Sequence, residues 1–229
     1  MISFSHIQKQ FGRHHVLNDV SFDIAQGEFL ALIGKSGAGK STLIHLLIGA
    51  ETPDSGDVTV RGKSIPALSS KDLQLFRQSI GVVFQDFKLL NKKTVFENVA
   101  FALEVTGENA FIDQKVSEAL FLVGLENMRD RFPPMLSGGE KQRVAIARAM
   151  VHSPVILIAD EPTGNLDPEN TIAIARLLRK LNLENGVTVF LTTHDPALIS
   201  EVAPRILTLE NGKITHDLKP GTVYPNYFG

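Results

Sequence analysis

Residues 28–49 read EFLALIGKSGAGKSTLIHLLIG, and this stretch decides the fold of the chain. It begins with a short apolar run, passes through a glycine-rich segment and ends in a helical pattern of leucines closed by glycine. The middle segment, residues 34–41, matches the phosphate-loop pattern G-x-x-x-x-G-K-[ST]. The match lies between a strand and a helix, which is the context that this loop requires. The stretch therefore predicts a nucleotide site at the end of a buried strand.

The residue types of this glycine-rich segment suit a triphosphate. Its glycines let the backbone wrap with N–H groups pointing inward, while Lys40 can neutralise the β- and γ-phosphates and the Ser41 hydroxyl can coordinate Mg²⁺. A structural glycine-rich turn is the alternative, and the flanking strand and helix argue against it. The candidate ATP-binding residues here are Gly34, Lys35, Ser36, Gly37, Ala38, Gly39, Lys40, Ser41 and Thr42.

The composition is that of an ordinary globular protein. Of the 229 residues, 43% are hydrophobic and 21% charged, with a formal net charge of −2 and no cysteine. Interspersed charges give no general attraction to nucleic acid or anionic lipid, and the lack of cysteine suits a reducing compartment. The N-terminus lacks a signal-peptide core, and the apolar runs are far shorter than the ~20 residues of a membrane helix. We expect a soluble protein that reaches a membrane only through a partner.

Strand and helix patterns alternate along most of the chain. Alternating apolar residues predict an antiparallel start, and later apolar runs separated by helices predict a mostly parallel sheet covered on both faces. A long helical stretch interrupts this alternation. We expect an α/β fold with an N-terminal antiparallel β subdomain and an inserted helical subdomain. The boundaries are one domain at 1–217, its core at 1–86 and 152–217, the helical subdomain at 87–151, and an irregular tail at 218–229.

Two adjacent carboxylates follow a second apolar strand, in VILIADEP at residues 155–162. Asp160 can hold Mg²⁺ through water, as the second carboxylate of such sites does. Glu161 stands at the mouth of the strand, where α/β sheets place their ligands, and can orient or deprotonate the water that attacks the γ-phosphate. The alternative for Glu161 is an acidic N-cap of the next helix.

Three further positions are candidates on weaker grounds. His194 ends another core strand and can contact the γ-phosphate, although a lone histidine there is more often structural. Gln85 closes the expected strand 79–85 and is neutral, so its amide suits Mg²⁺ or water rather than proton transfer. The ring of Phe11 can stack on adenine, with a place in the core as the alternative.

A second phosphate-type helix start lies in MLSGGEKQRVAIARAM, residues 135–150. Ser137 and Glu140 have the spacing of a capping box, so Ser137 is expected at the N-cap of a helix. Gly138 and Gly139 leave the backbone N–H groups of the first turn open, and such groups favour phosphate. One chain thus carries two phosphate-type cradles.

The set resembles the nucleotide-binding domain of ABC-type ATPases over residues 2–217. The residues that carry the resemblance are LSGGE followed by KQRVAIARA, lying between the phosphate loop and VILIADEPT. The resemblance implies a P-loop NTPase fold of the ABC-ATPase type, with ATP and Mg²⁺ as cofactors. It also implies that Phe11 is the adenine-stacking position, Gln85 the Q-loop, Leu166 and Asp167 part of the D-loop, and His194 the switch histidine. The sequence departs from the family pattern at two positions: tyrosine is more common at the position of Phe11, and glutamine at the position of Glu140.

The resemblance also gives the second cradle a purpose. In ABC-type ATPases the signature of one chain closes over the nucleotide held by the phosphate loop of another, in a head-to-tail pair. We therefore expect an ATP-dependent homodimer with two composite sites. Each would combine Lys40, Ser41, Gln85, Asp160, Glu161 and His194 with Ser137, Gly138, Gly139 and Glu140 of the second copy. The alternative is that the glycine-rich start of this helix is purely structural.

Residues 81–107 resemble the FtsE family of cell-division ATPases most strongly. That resemblance implies a membrane partner of the FtsX type at the cytoplasmic face of a bacterial inner membrane, and control of peptidoglycan hydrolases. ATPases of lipoprotein release and macrolide-type export share ILIADEPTGNLD, so an exporter is the alternative. A groove beside Gln85 is the expected seat of a partner helix. Its expected lining could equally belong to the core, and it comprises Phe87, Leu89, Leu90 and Phe96.

The sequence does not fit two other classes of nucleotide hydrolase, the chromosome-organising ATPases and the GTPases. Chromosome-organising ATPases carry long coiled coils between phosphate loop and signature, and the short interval here has no room for one. The chain also lacks a basic stripe, so we expect no nucleic-acid partner. The segment NKKT at residues 91–94 lacks the acidic residue that would recognise guanine, so we do not expect a GTPase.

Overall fold

The computed structural model describes residues 1–107, 110–202 and 204–221. Its strands and helices alternate as an α/β protein. The strands are β1 (Ile2–Phe11), β2 (His14–Ile24), β3 (Phe29–Ile33), β4 (Ser55–Val60), β5 (Lys63–Ser64), β6 (Ile80–Val83), β7 (Ile156–Asp160), β8 (Thr188–Thr193), β9 (Arg205–Glu210) and β10 (Lys213–Leu218). The helices are α1 (Lys40–Leu47), α2 (Ser70–Gln78), α3 (Val95–Thr106), α4 (Ile112–Leu122), α5 (Gly138–Met150), α6 (Pro168–Asn185) and α7 (Pro196–Val202), with short 3-10 turns at Glu126–Met128 and Pro133–Met135. Across these described ranges, no helix is both long enough and apolar enough to cross a bilayer.

The central sheet positions the site. Its strand order is β10-β9-β3-β8-β7-β6, and every neighbouring pair is parallel except β10 with β9. All residues of β3 and β8 are buried, as expected for strands covered on both faces. Because β3, β8 and β7 are adjacent and parallel, their carboxyl ends meet at one edge of the sheet. The phosphate loop, His194 and Glu161 each follow one of these three ends.

A smaller antiparallel sheet covers one side of the central sheet. It has the order β2-β1-β4-β5, which confirms the antiparallel start predicted from the sequence. Between the two sheets lies a core that contains α1 and the stacked rings of Phe4 and Phe22, with centroids 4.5 Å apart. A second core lies on the other face, against α3, α4, α5 and α6. Successive residues of β3 alternate between the two, since Leu30 and Leu32 belong to the first and Ala31 and Ile33 to the second.

Two predicted boundaries differ from the structure. The strand expected at residues 79–85 ends at Val83, so Gln85 lies in a loop and not at the end of a strand. A turn causes this early end, because the N–H of Phe87 donates to the carbonyl oxygen of Phe84 at 3.2 Å. The closing hairpin is present as β9 and β10, with Leu218 as the last residue of β10. The rest of the expected irregular tail, from residue 222 onward, lies outside the described residues.

The closing hairpin gives a prediction on stability and pH. Arg205 donates from Nε and Nη2 to the two carboxylate oxygens of Asp217 at 2.7 and 2.6 Å, and from Nη1 to Glu28 at 3.0 Å. The hydrogen bonds from Arg205 hold the pKa of Asp217 below its usual value. The stabilisation is therefore complete above the unfolded carboxyl pKa of about 4 and is lost as the pH falls through the lower folded value.

We expect Asp217→Asn to lower the free energy of unfolding by about 0.5–1 kcal/mol at pH 7, a modest amount because half of this side chain is exposed. The difference between variant and wild type should shrink as the pH falls below about 4. Urea unfolding followed by circular dichroism at several pH values measures both effects. Equal stability of the two proteins at pH 7 would contradict the prediction.

Candidate active site

The phosphate loop connects β3 to α1 in a conformation that its glycines permit. Gly39 has φ of +106°, and a side chain there would also bring Cβ within 2.8 Å of Leu17 Cδ2. Lys40 begins α1 and is buried, with its ammonium folded back over the loop. Its Nζ donates to the carbonyl oxygens of Gly34 at 2.8 Å and Lys35 at 3.3 Å. The loop thus presents a buried, localised positive charge, which is what a phosphate requires.

The Glu161 side chain contacts residues that follow the ends of β3 and β8. Its Oε1 lies 3.2 Å from Lys40 Nζ, and its Oε2 lies 2.7 Å from His194 Nδ1. The backbone of Glu161 is left-handed, with φ of +47°, and its N–H donates to the carbonyl oxygen of Thr192 at 3.0 Å. Side chains disfavour this conformation, so the surrounding structure must hold Glu161 in place. The three residues can together orient a water molecule and a phosphate.

The alternative role of Glu161 as a helix cap is wrong. The N-cap of α6 is Asp167, whose side chain accepts from the N–H of Asn170 at 2.9 Å. That bond lowers the pKa of Asp167, together with a second from the Asn170 side chain. Glu161 therefore does not cap a helix. Asp167 does, and this role was not predicted from the sequence.

Asp160 forms a second polar cluster beside the first. Its Oδ1 accepts from Ser41 Oγ at 3.3 Å and from Thr192 Oγ1 at 2.6 Å. Thr192 was missed from the sequence, although Asp160 pairs with it in the parallel register of β7 and β8. The amide of Gln85 lies over Gly164, where an added Cβ would be 2.8 Å from Gln85 Nε2. In the described hydrogen bonds, Gln85 is joined to neither Ser41 nor Asp160.

The start of α5 has the predicted capping box. Ser137 is the N-cap, its Oγ accepts from the N–H of Glu140 at 3.3 Å, and Glu140 Oε2 accepts from the N–H of Ser137 at 2.7 Å. The Ser137 N–H and the Ser137 hydroxyl both donate to Glu140 Oε2, the latter at 2.8 Å, and these two bonds hold the pKa of Glu140 below its usual value. Gly139 lies close to Asn170, because a Cβ there would be 2.0 Å from Asn170 Oδ1 and the Asn170 side chain would have to move. The start of α5 thus packs against the start of α6 in the same chain, and Leu166 lies next to Gly138.

Phe11 is 47% exposed, so the alternative that it belongs to the core is wrong. Lys9 Nζ lies 5.1 Å from the ring centroid. In the hairpin of β1 and β2, Phe11 pairs with His14. A cavity of about 570 Å³ runs from there along the phosphate loop, and Phe11 is not in its lining. The lining includes residues that the sequence analysis did not single out, namely His14, His15, Val16, Glu210 and Asn211.

Comparison with known families identifies the class of this site. The model of the ABC transporter family matches residues 17–164, which is more than half of the chain. The chain belongs to the ABC transporter family. It is an ATPase that binds ATP, and its fold is the P-loop ABC-ATPase fold that the sequence analysis predicted.

Relatives of this ABC ATPase include proteins of more than one role. It is 48% identical over 206 residues to the cell division ATP-binding protein FtsE of Streptococcus pneumoniae strain D39, covering 90% of this chain and 89% of that one. It is 47% identical over 224 residues to FtsE of Mycobacterium tuberculosis, covering 96% and 97%. It is also 45% identical over 217 residues to the methionine import ATP-binding protein MetN 1 of Acinetobacter baylyi, covering 94% of this chain and 61% of that one.

Solved ABC cassettes share the whole fold. The dimeric structure of MJ0796, a bacterial ABC transporter cassette, has a TM-score of 0.87 and 34% identity, and the match covers 97% of this chain and 100% of that one. A second MJ0796 structure, a dimeric post-hydrolysis state bound to ADP and Pi, also has a TM-score of 0.87, with 33% identity and the same coverage. These likenesses support the assignment of ATP hydrolysis to this chain.

The groove expected beside Gln85 has a different lining in this ABC ATPase. It is a cavity of about 710 Å³ between β6, α2, α3 and α5. Its apolar lining includes Ile80, Val82, Phe84, Phe101 and Val105, of which Phe101 and Val105 are exposed. The four residues expected there do not line it, because Phe87, Leu89 and Phe96 pack on the core and Leu90 faces outward.

Proposed function

We propose that this ABC ATPase is the energy-supplying subunit of an FtsE–FtsX-type complex in bacterial cell division. The observation that carries this proposal is the identity of 47–48% with FtsE proteins over 90–96% of the chain. In this role the chain lies at the cytoplasmic face of the inner membrane, attached through an FtsX-type membrane protein. ATP-driven changes in the ATPase would then act through that partner on peptidoglycan hydrolysis outside the membrane.

The catalytic assignment follows the contacts around Glu161. Lys40 and the loop N–H groups hold the β- and γ-phosphates, and Glu161 acts as the base that orients and deprotonates the attacking water. His194 holds the Glu161 carboxylate at 2.7 Å and is the group that contacts the γ-phosphate. Because Lys40 Nζ also lies 3.2 Å from Glu161, an arriving phosphate competes with this carboxylate for the ammonium.

A magnesium ion fits the donor set beside the phosphates. A serine hydroxyl, a carboxylate and an amide oxygen are the hard donors that Mg²⁺ takes, and Ser41 already contacts Asp160. Mg²⁺ takes six ligands, so phosphate oxygens and water would complete the coordination that three protein donors begin. Ser41, Asp160 and Gln85 would hold the ion, which supplies charge neutralisation at the phosphates.

Each site is completed by a second copy of the chain. Gly138 lies against Leu166, and Gly139 lies against Asn170 in the first turn of α6, so the starts of α5 and α6 adjoin in one chain. The face proposed to meet the second copy comprises Ser137, Gly138, Gly139 and Glu140 with Leu166 and Asp167. In the head-to-tail pair, this face closes over the nucleotide on the phosphate loop of the other copy. The exposed Phe11 of that other copy stacks on the adenine of the same nucleotide. The MJ0796 cassette structures are dimeric, which supports the pairing.

The membrane partner docks in the groove between β6, α2, α3 and α5. Its apolar floor continues into the loop that carries Gln85, because Phe84 lines the groove and precedes Gln85 directly. The occupant we propose is a cytoplasmic helix of the FtsX-type protein that lays its apolar face against Phe101 and Val105. Such docking would link the partner to the nucleotide site through one short loop.

Co-purification tests the partner and the groove together. The chain is co-expressed with the FtsX-type protein of the same genome, and we expect Val105→Asp to lower the recovered partner by at least about tenfold, because a carboxylate in an apolar contact costs more than 1.4 kcal/mol. Val105 is 61% exposed, so the fold tolerates the change. Leu183→Asp is the control, at a 65% exposed position of α6 that does not line the groove. Unchanged recovery with Val105→Asp would refute the docking site.

A transport role is the second candidate. It is favoured by the 45% identity with MetN 1, a methionine import ATP-binding protein, and the exporter alternative falls in the same class. The same purification decides between them, because wild-type chain recovered with a substrate-carrying permease and without FtsX would replace the cell-division assignment.

A further inference from the structure

The loop after Gln85 adopts a tight and unfavourable path. Phe87 and Lys88 are consecutive left-handed residues, with φ of +59° and +49°, and neither is glycine. The N–H of Lys88 donates to the carbonyl oxygen of Asp86 at 2.6 Å, which closes a turn of only three residues. Side chains disfavour this conformation, so the surrounding structure must hold it in place.

Arg148 is the side chain that holds this turn. It projects from the last turn of α5, and its Nη1 and Nη2 donate to the carbonyl oxygens of Lys88 at 2.6 Å and Phe87 at 2.8 Å. Burial lowers the pKa of Arg148, so the cation is kept in an environment that does not favour it. In the described part of the chain, the Arg148 guanidinium donates to these two carbonyl oxygens and not to a carboxylate.

The other side of Gln85 is held by the segment that follows Glu161. Asn165 Nδ2 donates to the carbonyl oxygen of Gln85 at 3.1 Å, and the Gln85 amide lies over Gly164. The N–H of Gly164 in turn donates to the carbonyl oxygen of Glu161 at 3.1 Å. Gln85 is thus placed between the turn held by Arg148 and the turn that begins at the proposed catalytic base.

We propose that Arg148 is a positioning residue of the nucleotide site. Its two hydrogen bonds fix the turn at Phe87 and Lys88, and this turn keeps the Gln85 amide on the Glu161 side of the loop. The inference rests on the role proposed for Gln85 in holding Mg²⁺ or the attacking water. Lysine cannot replace Arg148 fully, because one ammonium lacks the planar fork that reaches both carbonyls.

The test is a double-mutant cycle on ATP turnover by the full chain. We expect Arg148→Met to lower kcat by about 10–100-fold, the scale on which small misplacements act, with KM for ATP changed less than about threefold. Arg148→Lys should fall between wild type and Arg148→Met. Because both residues act through one loop, Gln85→Ala combined with Arg148→Met should turn over no more slowly than Gln85→Ala alone.

Two controls separate positioning from loss of fold. Arg176→Met removes an exposed arginine of α6 that pairs with Glu201, and it should keep the wild-type kcat. Should Arg148→Met not fold, Arg148→Lys with and without Gln85→Ala carries the same cycle. If the kcat losses of the two single variants multiply in the double variant, the inference is overturned. A wild-type kcat for Arg148→Met would also overturn it if Gln85→Ala is slow. A normal kcat for Gln85→Ala would instead overturn the proposed role of Gln85, and the inference with it.

Discussion

Glu161→Gln is expected to keep ATP binding, to stop turnover and to leave a stable ATP-bound pair of chains. The amide retains the size of the side chain and one oxygen, but it cannot take a proton from water, so kcat should fall by about 10²–10⁴-fold. In the proposed composite site, ATP that is not hydrolysed would keep its γ-phosphate in contact with both copies. Phosphate release measures turnover, and size-exclusion chromatography with light scattering measures the mass of the particle in Mg²⁺ and ATP.

A second change in the same background tests the composite site. Glu161→Gln combined with Ser137→Arg should remain monomeric, because the arginine blocks the face that closes on the second copy. If the start of α5 is purely structural, Ser137→Arg costs only the helix cap, about 1 kcal/mol of stability, and the pair still forms. A monomeric Glu161→Gln chain at saturating ATP would contradict the composite-site proposal directly.

Lys40→Ala is expected to lower the affinity for ATP and ADP by about 100-fold. Lys40 is a buried cation within the loop, and a hydrogen bond to a charged phosphate contributes about 1.5–3 kcal/mol. The fold should survive, since Glu161 keeps its contact with His194 and the loop keeps its glycines. Isothermal titration calorimetry with ADP measures the loss without interference from turnover.

The control for this loss is a lysine outside the site. Lys71→Ala removes the same charge from the exposed first turn of α2, and it should bind ADP as the wild type does. If Lys40→Ala bound ADP as tightly as Lys71→Ala does, Lys40 would not be a phosphate-binding residue.

Features set by local sequence could be predicted well. The phosphate loop, the capping box of Ser137 and Glu140 and the closing hairpin each depend on residues a few positions apart. Strand order was predictable only in outline, because alternating strands and helices indicate a parallel sheet but not which strands are neighbours. The ABC resemblance supplied what periodicity could not, namely the prediction that Gln85 and His194 act together with Glu161, and the structure brings His194 to Glu161.

Contacts between distant segments could not be predicted. Thr192 reaches Asp160 through the register of β7 and β8, and Arg148 reaches Phe87 and Lys88 through the packing of α5 on β6. Neither pairing leaves a pattern in one sequence. The groove lining was missed for a related reason, since apolar residues near Gln85 could face either the core or the surface until the turn at Phe84 and Phe87 was known.

Helix α5 carries the signature serine at its first end and Arg148 in its last turn. Thirteen residues make a rigid rod of about 20 Å, so the two ends cannot move independently. A tilt of about 5° at the end that we propose meets the second nucleotide would shift the far end by about 1.7 Å over this length. A shift of that size would break a hydrogen bond, so a tilt of α5 would transmit a change at the nucleotide to the groove that we propose for the membrane partner.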